Sequence, residues 1–216
     1  MKKLSSRFLS KEEEQAVTAA VQAAERTTSG EIVPMVVSAS HTYPVAAMLG
    51  SAFLTLPLAL VLTRLSGSLL WLGPDNMWLF LLFTALFCFP LYKLVDTSIF
   101  LKRLFLLRHQ VEEEVGEAAL TAFYTEGLYK TSEENGILLF ISVLEKKAWI
   151  LGDRGINARI SADKWQEIVD ELSAGIRAGQ QAEALCQAVT AVGEILKHHF
   201  PIGDADRDEL HNLIIR

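Results

Sequence analysis

The reading of this chain turns on residues 45–95, which run VAAMLGSAFLTLPLALVL (45–62), then a polar bend, then MWLFLLFTALFCFPLY (77–92) followed by KLV (93–95). After His41 the next charged side chain is Arg64. A helix crossing a bilayer core needs ~20 apolar residues, with ~17 as the lower limit. The first segment meets that limit as it stands. The second meets it once Leu94 and Val95 are counted and Lys93 extends its ammonium to the headgroups. Between them Arg64, Ser66, Gly67, Ser68, Gly73, Pro74, Asp75 and Asn76 bring charge and turn chemistry, and Trp71 and Trp78 flank the bend as an interfacial aromatic belt would. The pattern predicts a two-helix transmembrane hairpin with both flanks on one side. Pro57 and Pro90 are compatible with it, because neighbouring helices re-satisfy the backbone groups that proline frees. A buried helical pair in a soluble core is the alternative, but a 216-residue chain with few other apolar runs is too short to wrap it.

The remainder divides around this insertion: residues 1–44, the hairpin 45–95, and residues 96–216. The flanks together are long enough for one modest domain with a core of its own. A net charge of −6, with acidic residues spread over those flanks, excludes the clustered basic face that a nucleic-acid partner requires. Cys88 falls inside the second passage and Cys186 in a later helical pattern, so both are read as reduced, packed residues. Residues 1–26 have basic side chains but no apolar run before a small-residue cleavage site, which predicts no secretory signal there. Lys93, Lys102, Arg103 and Arg108 crowd the exit of the second passage against a lone Arg64 in the bend. By the positive-inside tendency the protein is integral to the inner membrane with its soluble part in the cytoplasm.

Local patterns give the order of elements. Ser10 with Glu13 three residues on forms a capping box ahead of the stripe Val17, Ala20, Val21 and Ala24, and the acidic residues 12–14 suit the start of that helix. EIVPMVVS (31–38) reads as a strand in which Pro34 must sit at an edge or a bulge. IFLKRLFLL (99–107) leads into a pattern that continues through Val111, Val115, Ala119, Ala122 and Phe123, as one long helix or two in line. GILLFISVL (136–144) is a strand covered on both faces, AWIL (148–151) returns beside it, and Gly152, Asp153, Arg154 and Gly155 close the pair as a tight loop. Ser161 caps a helix carrying Trp165, Ile168, Val169, Leu172 and Ile176 that Gly179 ends; a last helix uses Leu185, Val189, Val192 and Leu196. Trp165 is read as core packing. Helices before and after a strand pair predict an α/β layered domain with a small mixed sheet.

Asp153 is the strongest chemical candidate. Glycines on both sides permit a tight turn, and a carboxylate at the end of a buried strand lies where α/β sheets bind ligands. It either ligates a hard cation, Ca2+ or Mg2+, with further oxygens from Glu31, Glu133, Glu134 and Asp163, or serves only its own turn by accepting nearby amides or pairing with Arg154. Asp204, Asp206 and Asp208 alternate like the start of an EF-hand loop, but Glu209 replaces the required glycine and Ile215 the bidentate glutamate. His198 and His199 are adjacent and so point about 100° apart on a helix, which favours a role at its C-terminus over metal binding. Cys186 has no evident basic partner, Ser142 lies within a strand, and no phosphate-binding, dinucleotide-binding or nucleophile-elbow motif occurs. Any phosphoester hydrolysis is left with a metal-activated water near Asp153.

TTSGE (27–31) before the first strand, FYTEGLYKT (123–131), ENGILLFISVLEKKAWILGDRGI (134–156) and, after Trp165, AGIRAGQQAEAL (174–185) together resemble the TPM domain. That family is named for a thylakoid lumen protein, a photosystem II repair protein and a modulator of nicotinic receptors. KHHFP (197–201) and LHNLI (210–214) are similar to a membrane-inserted bacterial subgroup. The chain departs from the family's usual plan, a signal peptide and a terminal anchor, by placing two passages after the first strand. The resemblance implies a three-layer α/β/α domain, and relatives credited variously with acid phosphatase activity, divalent metal binding and assembly or repair of membrane complexes. The expectation is therefore a membrane-anchored interaction module with the bilayer and a membrane protein or complex as partners. The alternative is a metal-dependent acid phosphatase.

Overall fold

Ser10 opens the first long helix as its spacing predicts. In the computed structural model, which describes residues 4–131, 133–202 and 210–216, α1 (Lys11–Glu25) begins where the Ser10 hydroxyl accepts the Glu13 N–H at 3.2 Å and Glu13 Oε2 accepts the Ser10 N–H at 2.6 Å. Two orphan donors of the first turn are thereby satisfied reciprocally. Val17 and Val21, a turn apart, are fully buried.

The chain then enters a four-stranded mixed sheet in the order β3-β2-β1-β4. β1 (Glu31–Val37) runs parallel to β2 (Gly136–Ser142), which pairs antiparallel with β3 (Lys147–Gly152). β4 (Ile214–Ile215) adds to the other side of β1 opposite Met35 and Val36 alone. Pro34 thus sits inside a strand with neighbours on both sides, and the register explains how. The Glu31 N–H goes to the Asn135 carbonyl on the β2 side, whereas the Ser38 N–H and the Val36 carbonyl face Arg216 on the β4 side. Alternate residues share a direction, so Ile32 and Pro34 face the β4 side before β4 has begun. The Ile32 N–H is taken by Glu25 Oε1 at 3.0 Å, and Pro34 has no donor to satisfy. β4 itself is absent from the sequence reading, because two residues carry no periodicity. It is held by Arg216, whose guanidinium meets Glu126 at 2.8 Å.

Strand alternation feeds two apolar layers. Ile32 and Val36, with Ile137, Leu139, Ile141 and Ile150, face α1, α7 (Ala162–Ala178) and α8 (Gln181–His199) in one core. On the opposite side Met35 and Phe140 share a cavity wall with Ala118, Thr121 and Ala122 of α5 (Arg108–Thr125). The result is the three-layer α/β/α arrangement. Ser161 flanks α7 without a side-chain cap bond, and Gly179 ends it at φ 82°, a left-handed value that glycine adopts freely.

Two compact units emerge, Met1–His41 with Glu112–Arg216, and Thr42–Val111. The second contains α2 (Pro44–Leu69), α3 (Met77–Thr97) and α4 (Ile99–Leu104). Both helices of the hairpin run past their sequence-predicted ends at 62 and 95, and both are long and apolar enough to cross a membrane. On α2 the buried positions Ser51, Thr55, Ala59, Thr63 and Gly67 recur every four residues, a small-residue stripe that lets α3 approach closely. Large side chains point outward: Met48, Phe53, Leu65, Leu82, Leu86 and Phe89 are all exposed. Of the two arrangements the pattern allowed, one long helix or two, the chain has two: Ile99–Leu104 form α4 and α5 begins at Arg108. The short α4 is tied to the base of the hairpin by Lys102, 1 % exposed, whose Nζ meets Asp96 at 2.7 Å and donates to the Thr42 carbonyl at 3.0 Å. Counted from sequence as a basic residue at the membrane exit, Lys102 is instead an internal cation.

Candidate functional site

The residues proposed as cation ligands converge on one end of the sheet only in part. Registers Glu31↔Gly136 and Ile137↔Gly152 place Glu31, Asn135 and Asp153 along the amino ends of β1 and β2 and the carboxyl end of β3. Ligands in α/β sheets gather at the carboxyl ends of parallel strands. Asp153 lies at the opposite end of the parallel pair and on an edge strand, so that positional argument does not apply to it.

This rim is closed by main-chain bonds. The Asp153 N–H donates to the Gly136 carbonyl at 2.8 Å and the Gly155 N–H to the Glu134 carbonyl at 3.1 Å. A Cβ on Gly155 would lie 2.7 Å from that carbonyl oxygen, which accounts for the glycine. Asn135, buried, donates its N–H to Thr131 Oγ1 at 3.1 Å and its side-chain amide to the Ser29 carbonyl, and Ser29 Oγ donates to Glu133 Oε2 at 2.9 Å. Asp153 Oδ1 accepts the Arg154 N–H at 2.7 Å and caps α6 (Arg154–Asn157), a helical turn where the sequence predicted a loop. Asn157 Nδ2 returns to the Gly152 carbonyl at 2.7 Å. The turn-serving role of Asp153 is therefore realised.

Its second oxygen, Oδ2, is buried with no hydrogen-bond partner among the described residues, beside a cavity of about 560 Å3 lined by Leu120, Phe123, Tyr124 and Arg154. One such oxygen falls short of a cation site. Ca2+ takes 6–8 oxygens and Mg2+ a near-octahedral set. Glu31 is buried in β1, Glu134 is exposed at φ 53°, and Asp163 is exposed in the first turn of α7. Among the described residues no group of three or more His, Cys, Asp or Glu side chains is placed to hold a metal. The residues present thus do not fit a dedicated cation centre, and the phosphatase alternative gains no support from them. Asp204, Asp206, Asp208 and Glu209 lie outside the described residues.

The other candidates have structural explanations. His198 and His199 are in the last turn of α8, as the helix dipole favours. The α8 end is further closed by Arg159, whose Nη1 donates to the His199 carbonyl at 2.6 Å while its guanidinium lies 4.5 Å from the Phe200 ring centre. Cys186 packs against the core, and burial pushes its thiol pKa up, the reverse of what a nucleophile needs. Trp165 is buried in the core on the α7 side, as read from its spacing, but its indole Nε1 lacks an acceptor among the described residues.

Comparison with known proteins agrees with this fold. Over 97 % of its length the chain is similar to the NMR structure of the BA42 protein from the psychrophilic bacterium Bizionia argentinensis, at 22 % identity, 95 % coverage of that chain and a TM-score of 0.58. No curated protein matches it in sequence. The model of the TPM domain matches residues 104–195, a stretch that includes α5, β2, β3 and α7, and over that stretch the chain is similar to the TPM domain.

Proposed function

We propose that this protein is a membrane-anchored docking module: α2 and α3 cross the bilayer, and the TPM unit is held at the surface to bind or help assemble membrane proteins. The observation that carries the reading is the outward surface of the hairpin. Phe53, Leu65, Leu82 and Phe89 are each more than half exposed, and exposed residues make up most of α3. Removing one such side chain from water is worth about 1.5–3 kcal/mol at full burial, so a hydrocarbon surround that covers many of them favours the hairpin by several times that. The small, partly polar stripe faces inward, the distribution expected when lipid is the solvent.

Orientation follows from the cations. With Lys102 buried, Lys93, Arg103 and Arg108 remain near the base, while Arg64, toward the C-terminal end of α2, lies 3.6 Å from Asp75 in the bend. That bias favours a cytoplasmic TPM unit. A docking role needs no metal centre, and among the described residues no group of three or more His, Cys, Asp or Glu side chains is placed to form one.

The test uses membranes from cells making the full chain. Alkaline carbonate should leave the protein in the pellet, and mild detergent should release it together with a membrane protein that exchanges off at high salt or with competitor. Extraction by carbonate would end the anchoring claim. Recovery of the chain alone from several detergents would end the docking claim.

A further inference from the structure

We infer that the outer edge of β3 is a receptor for one extended peptide segment of a partner protein, paired to the edge as a fifth strand with an acidic side chain toward Arg177. The inference rests on the docking reading above and adds the surface, the conformation and the charge of what docks.

The sheet has two edges of different kinds. One ends in β4, fixed by Arg216; the other is β3, beyond which no strand lies among the described residues. Because the Asp153 N–H points to β2, residues 153, 151 and 149 direct their main-chain groups inward and Ala148, Ile150 and Gly152 direct theirs outward. Two of these outward groups are satisfied: the Ala148 N–H by Ser173 Oγ at 3.3 Å and the Gly152 carbonyl by Asn157 Nδ2 at 2.7 Å. Both groups of Ile150, the Gly152 N–H and the Ala148 carbonyl have no partner among the described residues. Ile150 is only 8 % exposed, so its unpaired main chain lies in a site where main-chain groups are almost always matched.

Alongside runs a groove of about 560 Å3, with β3 as its floor and residues of α5 and α7 on either side. It is lined by Val115, Trp149 and Val169, and by Trp165, whose buried Nε1–H is a further unmatched donor. Outward groups two residues apart repeat at about 6.6 Å, the repeat of a partner strand. A second copy of this chain does not suit the groove, since its own β3 is equally recessed between helices. A single strand does. Arg177 is exposed one helical turn beyond Ser173 and has no partner among the described residues, whereas Lys147 on the same rim meets Glu112 at 3.0 Å. A carboxylate at that end of the occupant completes the charge pattern.

The test titrates the full chain, in detergent micelles, with the peptide Ac-Glu-Val-Thr-Val-Thr-Val-Glu-NH2, acidic at both ends so that either strand direction brings a carboxylate to Arg177. Amide exchange at Ile150 and Gly152 is read by NMR. At millimolar peptide the exchange of both should slow by about tenfold or more. Of two peptides N-methylated on alternate residues in opposite phases, one should lose this effect and the other keep it. Arg177→Glu should weaken the peptide by about tenfold and accept a lysine-ended version instead. Unchanged exchange, equal effects of both methylated peptides, or protection that rises with protein concentration without peptide would each overturn the inference. Co-purification of a partner despite unchanged exchange would leave docking intact and move it elsewhere.

Discussion

Lys102 persists in a buried position because two acceptors surround its ammonium, Asp96 and the Thr42 carbonyl. Removing one partner of such a pair is far more harmful than replacing both. Lys102→Met should therefore destabilise the hairpin unit by about 3 kcal/mol, and adding Asp96→Leu should recover most of it, as measured by denaturant unfolding in micelles. Asp153 presents the opposite case, a charged group whose visible work is local. Asp153→Ala should cost no more than about 1 kcal/mol, the value of an N-cap, and millimolar calcium should raise the melting temperature of neither form. A calcium-dependent rise confined to the unsubstituted chain would restore the cation reading. Ser10 and Glu13 were legible in the sequence because their contact spans three residues. Lys102 was not, since its acceptor at Thr42 is brought near only by folding, and neither was Trp165's unmatched indole, which depends on what packs around it.

At the scale of elements, α1 offers a pH-dependent prediction. Its own main-chain amide, and then the Ser10 hydroxyl, hold the Glu12 carboxyl below the usual glutamate range. A depressed folded-state pKa gives a contribution present above the ordinary glutamate value and lost as pH falls through the lowered one. Acid should therefore fray α1 before the sheet, and Ser10→Ala should weaken this dependence while costing about 1 kcal/mol, both readable from amide exchange along the helix. On α2 the small-residue stripe sets how near α3 can come. Ala59→Leu adds bulk to a fully buried position and should destabilise the helix pair by about 1–3 kcal/mol, whereas Phe53→Leu on the outer face should be close to neutral. Helices and inner strands were visible in the sequence because each carries several periods of apolar residues. β4 carries two residues, and Pro34 could be placed at an edge but not assigned one until the register showed which direction its nitrogen faces.

At the scale of the molecule, two long apolar helices inserted between β1 and α5 bring the chain back to pair β2 with β1, so the hairpin interrupts the domain rather than ending it. The hairpin was the most legible feature of the sequence, and the use of the α/β unit the least, because a strand edge that offers main-chain groups carries no sequence motif. Placement in the bilayer is the claim on which the rest depends. Cysteine accessibility tests it directly, in a Cys88→Ala, Cys186→Ala background carrying one new cysteine at Ser68 in the last turn of α2 beside the bend, Leu86 on the outer face of α3, or Gln187 on α8. With an impermeant maleimide, the account predicts labelling of position 68 in intact cells, of position 187 only after lysis, and of position 86 in neither. Labelling of position 86 at the rate of a water-exposed thiol, or of positions 68 and 187 from the same side, would contradict it.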